Sequence, residues 1–151
     1  MKLEELRVYQ LAIKLAEDVW DIVIKWDYFT KDAMGKQLIK AADSVAANLS
    51  EGFGRFFYQE ERQFCYYSRG SLYETKTWLT KASNRNLITI EEFEKFMKEV
   101  NDIGVKLNNY INSIGKKNSE ANKIQEPEKK WITFRNRPLM TKNDNNSNSK
   151  I

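Results

Sequence analysis

Apolar residues recur at alternating spacings of three and four over four long stretches, and few residues that break helices interrupt them. The chain of 151 residues contains only six Gly and two Pro, which predicts few turns and long regular elements. Apolar residues at this spacing share one face of an α-helix. The pattern therefore predicts an all-α protein, an up-and-down antiparallel four-helix bundle with a C-terminal extension.

The four predicted helices cover about residues 3–27, 30–52, 57–83 and 90–114. Gly52 and Gly54 are expected to cap the second helix and turn the chain, and Thr89 with Glu92 has the spacing of a capping box before the fourth. The predicted inner face of the third helix contains Cys65, Ser68, Leu72, Thr75, Leu79 and Ala82, widened by Phe57, Phe64, Tyr67 and Trp78.

The helical periodicity stops at Gly115. We therefore predict a bundle over residues 1–115 and a basic, largely disordered tail over residues 116–151. The tail contains an apolar and basic segment, Trp131–Pro138, that is too short for a domain and suits an adhesive arm.

The first predicted helix is apolar on two faces. One series contains Leu6, Tyr9, Ile13, Ala16, Trp20 and Val23, and the other contains Val8, Ala12, Leu15, Val19, Ile22 and Trp26. A helix in a small monomeric bundle needs only one apolar face. The second face therefore predicts a subunit interface and a homo-oligomer, with a central helix in a broad monomeric core as the alternative.

The absence of His and the presence of a single Cys exclude several kinds of chemistry. The chain has no means to form a Ser-His-Asp or Cys-His site, a His-ligated zinc site or an internal disulfide. Cys65 falls on the apolar face of the third helix, which favours a buried small side chain over a nucleophile. We predict a non-enzymatic protein without metal or cofactor, located in the reducing cytoplasm and not inserted in a membrane.

The positive charge is concentrated in the tail. Residues 1–115 contain 16 basic and 17 acidic side chains, whereas residues 116–151 contain nine basic and four acidic ones. A nucleic-acid partner therefore requires either a local patch on the bundle or a contact through the tail. In the tail, Arg135 and Arg137 are candidate nucleic-acid-binding residues.

A basic and aromatic stripe is predicted on the third helix. It consists of Arg55, Gln59, Arg62, Tyr66, Arg69, Tyr73 and Lys76, which advance by alternating fours and threes and so lie in one line if the helix extends back to Arg55. Arg62, Arg69 and Lys76 have no acidic residue three or four positions away. Arginine forks suit phosphate oxygens and tyrosine rings stack on unpaired bases, so the stripe predicts an RNA contact. The alternatives are a solvated face or a contact with acidic residues of a neighbouring subunit.

The second and third helices resemble a known family. The stretches GKQLIKAADSVAANLSEGFGR, residues 35–55, and FCYYSRGSLYETKTWL, residues 64–79, are similar to four-helix-bundle proteins encoded in bacterial 23S rRNA intervening sequences. That family is related to the accessory protein of diversity-generating retroelements. The resemblance covers about residues 3–114. It implies a homopentameric barrel that binds structured nucleic acid or a nucleic-acid enzyme.

Two features depart from the family pattern. Phe56-Phe57-Tyr58 stands where small polar residues commonly lead into the third helix, and the tail is longer than the usual ending.

These observations lead to one main hypothesis and two alternatives. The main hypothesis is a non-enzymatic, homo-oligomeric protein that binds RNA or another nucleic acid. The first alternative is an accessory subunit that docks a reverse transcriptase or another nucleic-acid enzyme. The second is a structural oligomeric adaptor whose tail carries the binding.

Overall fold

Four helices build the part of the chain that the computed structural model describes, residues 1–119. They are α1 (Arg7–Val23), α2 (Lys36–Phe53), α3 (Tyr58–Asn84) and α4 (Ile90–Ser119), and these residues form no strand. Each helix packs antiparallel against the next, and α4 closes the ring against α1. The all-α prediction is confirmed, and the helices pack as a bundle.

The prediction of one continuous helix over residues 3–27 is wrong at both ends. A 3₁₀ turn at Leu3–Glu5 precedes α1, and the extended backbone of Leu6 separates the two. At the other end the Trp26 indole N–H donates to the backbone oxygen of Leu87 at 3.2 Å. Asp27 then accepts from the backbone N–H of Thr30 at 2.8 Å and so caps the segment that leads into α2. The chain therefore turns where the indole anchors it.

The segment between α1 and α2 is helical without being a regular α-helix. A single α-helical turn at Tyr28–Thr30 is followed by a π-helical turn at Lys31–Gly35. The π turn passes close to α1, since a Cβ on Gly35 would lie 2.7 Å from Cγ1 of Val23. The second predicted helix therefore exists, with a change of helical type near its start.

The junction between α3 and α4 follows its predicted chemistry. The backbone N–H of Thr89 donates to Glu92 at 2.9 Å, and the backbone N–H of Glu92 donates to the Thr89 hydroxyl at 3.1 Å. This reciprocal pair confirms the capping box. Before it, Asn86 adopts a φ of 57°, and the backbone N–H of Leu87 donates to Ala82 at 2.9 Å, which closes the end of α3.

The helix α4 continues to Ser119, past the predicted end at residue 114. Ile114 is nevertheless the last buried apolar side chain in the described residues. The predicted tail from residue 120 onward, with the segment Trp131–Pro138, lies outside the described residues.

The core contains the predicted inner faces of all four helices. Cys65, Ser68, Leu72, Thr75, Leu79 and Ala82 of α3 are buried as predicted. Burial also raises the pKa of the Cys65 thiol to about 12, which confirms its role as a small apolar side chain. Phe57 and Tyr67 were expected to widen this face, but they are 63% and 50% exposed. Both lie on the outer side of α3, away from the core.

The two apolar series of α1 have different surroundings. Val8, Ala12, Leu15 and Val19 are buried in the core. On the other side of the helix Ile13, Trp20 and Ile24 are between 40% and 50% exposed. The outward apolar face of α1 therefore contains Ile13 and Trp20 of the first series, while Ala16 and Val23 of the same series are buried.

The helices α2 and α3 approach each other closely at Gly52. Gly54 ends α2 with a φ of −79°, so this end of the helix needs no left-handed residue. Gly52 has a different role from the predicted cap, because a Cβ there would lie 2.8 Å from Cβ of Phe64 and 2.9 Å from the backbone oxygen of Glu61. The missing side chain lets the two helices approach.

We expect Gly52→Ala to destabilise the bundle by about 1–3 kcal/mol, because the added methyl group overlaps atoms of α3 that have little room to move. Gly70→Ala is the matched control, since a Cβ at this exposed position in α3 meets no atom within 4 Å. This control should stabilise the protein by about 0.5–1 kcal/mol through helix propensity alone. Urea unfolding measures both changes, and equal effects of the two substitutions would contradict the packing role of Gly52.

Candidate nucleic-acid interface

The stripe runs along the edge of α3 that faces α4, and its members differ in exposure. Arg55 and Gln59 are exposed, Arg62, Tyr66 and Arg69 are half-buried, and Tyr73 is 39% exposed. Lys76 is buried, with 5% exposure. The structure thus places Gln59 to Lys76 on one edge of α3, whereas Arg55 precedes the helix, which begins at Tyr58, and the edge is not presented to solvent in full. Arg135 and Arg137 lie outside the described residues.

At the centre of the stripe two cations lie near one aromatic ring. The guanidinium carbon of Arg69 lies 4.8 Å from the centre of the Tyr66 ring, and that of Arg62 lies 5.8 Å from it. Arg69 also donates to the side-chain oxygen of Asn108 in α4 at 3.2 Å. The guanidinium of Arg62 lies beside Gly115, where a Cβ would be 3.9 Å away. Tyrosine and α4 therefore hold two guanidinium groups in place.

The facing edge of α4 contains amides and small residues. From Lys98 to Gly115 the positions in line with Asn108 are Asn101, Val105 and Asn112, and none of them is acidic. Glu61, next to Arg62 in the chain, accepts a hydrogen bond from the Tyr110 hydroxyl at 2.5 Å. Burial of Tyr110, together with this carboxylate, raises the pKa of its hydroxyl. Arg69 makes no ion pair within residues 1–119.

The two ends of the stripe differ from its centre. Arg55 forms an ion pair with Glu51 at 2.8 Å, as the sequence spacing indicates, and its guanidinium lies 4.9 Å from the centre of the Phe64 ring. At the other end desolvation lowers the pKa of Lys76 to about 8. The spacing predicted a surface cation at position 76, and the burial of Lys76 overturns that expectation. The accessible cations of the stripe are thus Arg62 and Arg69, with Arg55 beyond them.

Sequence reasoning missed the contribution of α4. Asn108 orients Arg69, and it follows Asn101 by seven residues on the same edge of the helix. The seven-residue spacing of these two asparagines could have indicated this edge. The prediction named only α3 because cations and aromatic rings are chemically more distinctive than the amides of α4.

A family model described as 23S rRNA-intervening sequence protein matches residues 4–109. The chain belongs to this family. The match covers α1 and α2, the whole of α3 and most of α4, and it ends before Tyr110.

A solved structure supports the same fold. It is the crystal structure of a protein of unknown function from the S23 ribosomal protein family of Bacteroides thetaiotaomicron VPI-5482. The similarity has a TM-score of 0.63 at 19% sequence identity and covers 69% of this chain and 97% of that chain. No curated protein matches the chain. At this identity the likeness to the crystal structure shows the fold alone.

Residues 1–119 contain neither a membrane-spanning helix nor a cluster of metal-binding side chains. None of the helices in this range has the length and apolar character needed to cross a bilayer. The same range contains no cluster of three or more His, Cys, Asp or Glu side chains arranged to hold a metal ion.

The burial of Lys76 predicts a specific pH dependence of stability. Its folded-state pKa of about 8 lies below the ordinary value of 10.5. The unfolded chain therefore binds more protons between these two pH values, and this residue makes stability rise with pH across that window. Lys76→Met should remove this rise and increase stability near neutral pH by about 1–3 kcal/mol, because no buried charge remains.

Thermal unfolding followed by circular dichroism between about pH 7 and pH 10 measures this difference. Lys40→Met, at an exposed position in α2, is the matched control and should follow the parent curve. A parent and a Lys76→Met variant with parallel pH profiles would contradict the assigned burial of the charge.

Proposed function

We propose that this family member is a non-enzymatic, homo-oligomeric protein that binds structured RNA through the edge between α3 and α4. The observation that carries the proposal is the position of two guanidinium groups at one ring, with Arg62 at 5.8 Å and Arg69 at 4.8 Å from the centre of Tyr66. The facing edge of α4 supplies amides and no carboxylate from Lys98 to Gly115. This arrangement offers two oriented cations to an anionic partner.

The chemistry of this edge suits a phosphate backbone. Guanidinium groups bind phosphate oxygens through paired hydrogen bonds, and holding the groups in place before binding reduces the entropy lost on association. The half-exposed ring of Tyr73 provides a surface on which an unpaired base can stack. Because residues 1–115 carry nearly equal numbers of acidic and basic residues, binding depends on this local patch and not on a general positive field.

Two further observations support RNA and self-association. The family description places its members in the intervening sequences of 23S rRNA, which favours RNA over DNA as the partner. The outward apolar face of α1 supplies a surface for a second copy of the chain. An oligomer would repeat the patch, so that a modest affinity per subunit becomes strong binding to one RNA. A pentamer is the assembly that the family resemblance implies.

The binding test uses charge reversal at these two arginines. We expect Arg62→Glu with Arg69→Glu to weaken binding to a structured RNA and to reduce the slope of log affinity against log salt by about 2, one for each lost phosphate contact. Fluorescence anisotropy over a series of salt concentrations measures both quantities. The matched control, Lys40→Glu with Lys106→Glu, makes the same charge change at exposed positions away from this edge.

Equal losses in both double variants would show a general charge effect and contradict the assigned site. Light scattering and circular dichroism must show that each variant keeps its assembly and its helices. If the arginine variant remains assembled and binds RNA as tightly as the parent, the proposal fails and the edge is better explained as a docking surface for a nucleic-acid enzyme.

Self-association has its own test at the outward face of α1. Trp20 is 50% exposed, so Trp20→Glu should leave the helix content of a subunit intact. We expect it to break the assembly, because it places a charge in an apolar interface. Light scattering at micromolar concentration should report an oligomer for the parent and a monomer for the variant.

The charge-matched control for assembly is Gln37→Glu at an exposed position in α2, which should remain oligomeric. A parent protein that is monomeric at micromolar concentration would remove self-association from the proposal and would leave the RNA edge to be tested alone.

A further inference from the structure

Three consecutive aromatic side chains extend into solvent where α2 turns into α3. Phe56 is 89% exposed, Phe57 is 63% exposed and Tyr58 is 47% exposed. The rings of Phe56 and Phe57 contact each other edge to face, with their centres 5.0 Å apart. Contiguous apolar surface of this kind marks contact sites in soluble proteins. We call Phe56, Phe57 and Tyr58 the aromatic turn.

The aromatic turn has acidic neighbours. Glu51 lies one helical turn before Arg55, and Glu60 lies in the first turn of α3, and both are exposed. Arg55 pairs with Glu51, while Glu60 makes no ion pair in residues 1–119. An apolar patch with negative charge beside it suits an apolar segment that carries positive charge.

The chain leaves the bundle beside this patch. Gly115 of α4 lies next to the guanidinium of Arg62 in α3, and the two helices run antiparallel. Toward this end of the bundle, α4 continues for four residues from Gly115 to Ser119, and α3 begins four residues before Arg62, at Tyr58. At 1.5 Å per residue both positions lie about 6 Å beyond that contact. The remaining 32 residues therefore begin at the level of the aromatic turn.

One segment of those residues has the complementary chemistry. Trp131, Ile132, Thr133 and Phe134 follow Lys129 and Lys130 and precede Arg135. The twelve steps from Ser119 to Trp131 span up to about 40 Å when extended, which is ample for a return to the turn. A tether of this length also keeps the segment at a high effective concentration near the turn. The solved relative is covered over 97% of its length by 69% of this chain, so the extension is an addition to the shared bundle.

We propose that residues 131–134 dock on the aromatic turn of the same chain, with the flanking basic residues next to Glu51 and Glu60. This interaction surface goes beyond the proposed RNA binding and does not rest on it. An RNA base is the competing occupant, and it fits less well because the Glu60 carboxylate repels a phosphate backbone.

Photo-crosslinking in the full chain tests the proposal. Phe57→p-benzoylphenylalanine puts a reactive ring at an exposed position without changing the core. Trypsin cuts after Lys130 and Arg135, so it releases the segment as one peptide, and mass spectrometry identifies what position 57 has captured. We expect irradiation without RNA to join position 57 to this peptide.

The matched control is Phe29→p-benzoylphenylalanine. Phe29 is 78% exposed, in the segment between α1 and α2 at the opposite end of the bundle, and it should give several-fold less of the same product. Irradiating protein that has been unfolded and reassembled with an excess of isotopically heavy chains, which lack the photoreactive group, distinguishes the chain's own segment from that of a neighbour. A light captured peptide supports the proposal, and a heavy one overturns docking within one chain.

A second variant separates docking from mere proximity. Trp131→Ser with Phe134→Ser removes the apolar contact and keeps the tether, so the crosslink should be lost. A crosslink of unchanged yield in this variant would overturn the proposal. So would equal capture from positions 57 and 29, or capture of added structured RNA by position 57 with no capture of the segment in its absence.

Discussion

The close approach of α2 and α3 determines where every other surface of the bundle lies. At Gly52 the backbone of α2 comes so near α3 that a single methyl group would overlap Phe64 and the backbone of Glu61. Further along, the Ser68 hydroxyl donates to the backbone oxygen of Val45 at 2.7 Å, so a polar side chain can be buried in this contact with its hydrogen bond made. The contact fixes the rotation of α3 about its own axis.

That rotation places the stripe. With Cys65, Ser68 and Leu72 turned inward, the line through Arg62 and Arg69 is turned toward α4 and not toward open solvent. The half-buried setting of the arginines follows from the packing of the opposite side of the same helix. The packing also places the two arginines next to α4, where Asn108 accepts a hydrogen bond from Arg69 and Gly115 leaves space beside Arg62. A surface arginine without such neighbours would lose more conformational freedom on binding phosphate.

Periodicity predicted what depends on one helix at a time, and it failed where a neighbouring helix decides the outcome. The spacing correctly grouped the buried residues of α3 and the capping box at Thr89. It also placed Arg62, Arg69 and Lys76 in one line, but a line on one helix does not reveal how deeply the next helix covers each position. Lys76 is covered and has a lowered pKa, whereas the arginines stay partly open. The early end of α1 also involves a distant part of the chain, because the Trp26 indole donates to Leu87 in the turn between α3 and α4.

The outward apolar face of α1 follows from the same competition between neighbours. Val19 is completely buried in the core. Turning α1 to bury Trp20 would therefore expose core residues of the same helix. A clamp on the adjacent edge opposes such a turn. The Lys14 amine lies 2.6 Å from carboxylate oxygens of both Asp18 and Glu99, and these hydrogen bonds raise its pKa. Apolar surface left in water forgoes about 25 cal/mol per Å² of possible stabilisation. The helix therefore recovers that free energy only when another surface covers it, and this is the physical argument for the proposed self-association.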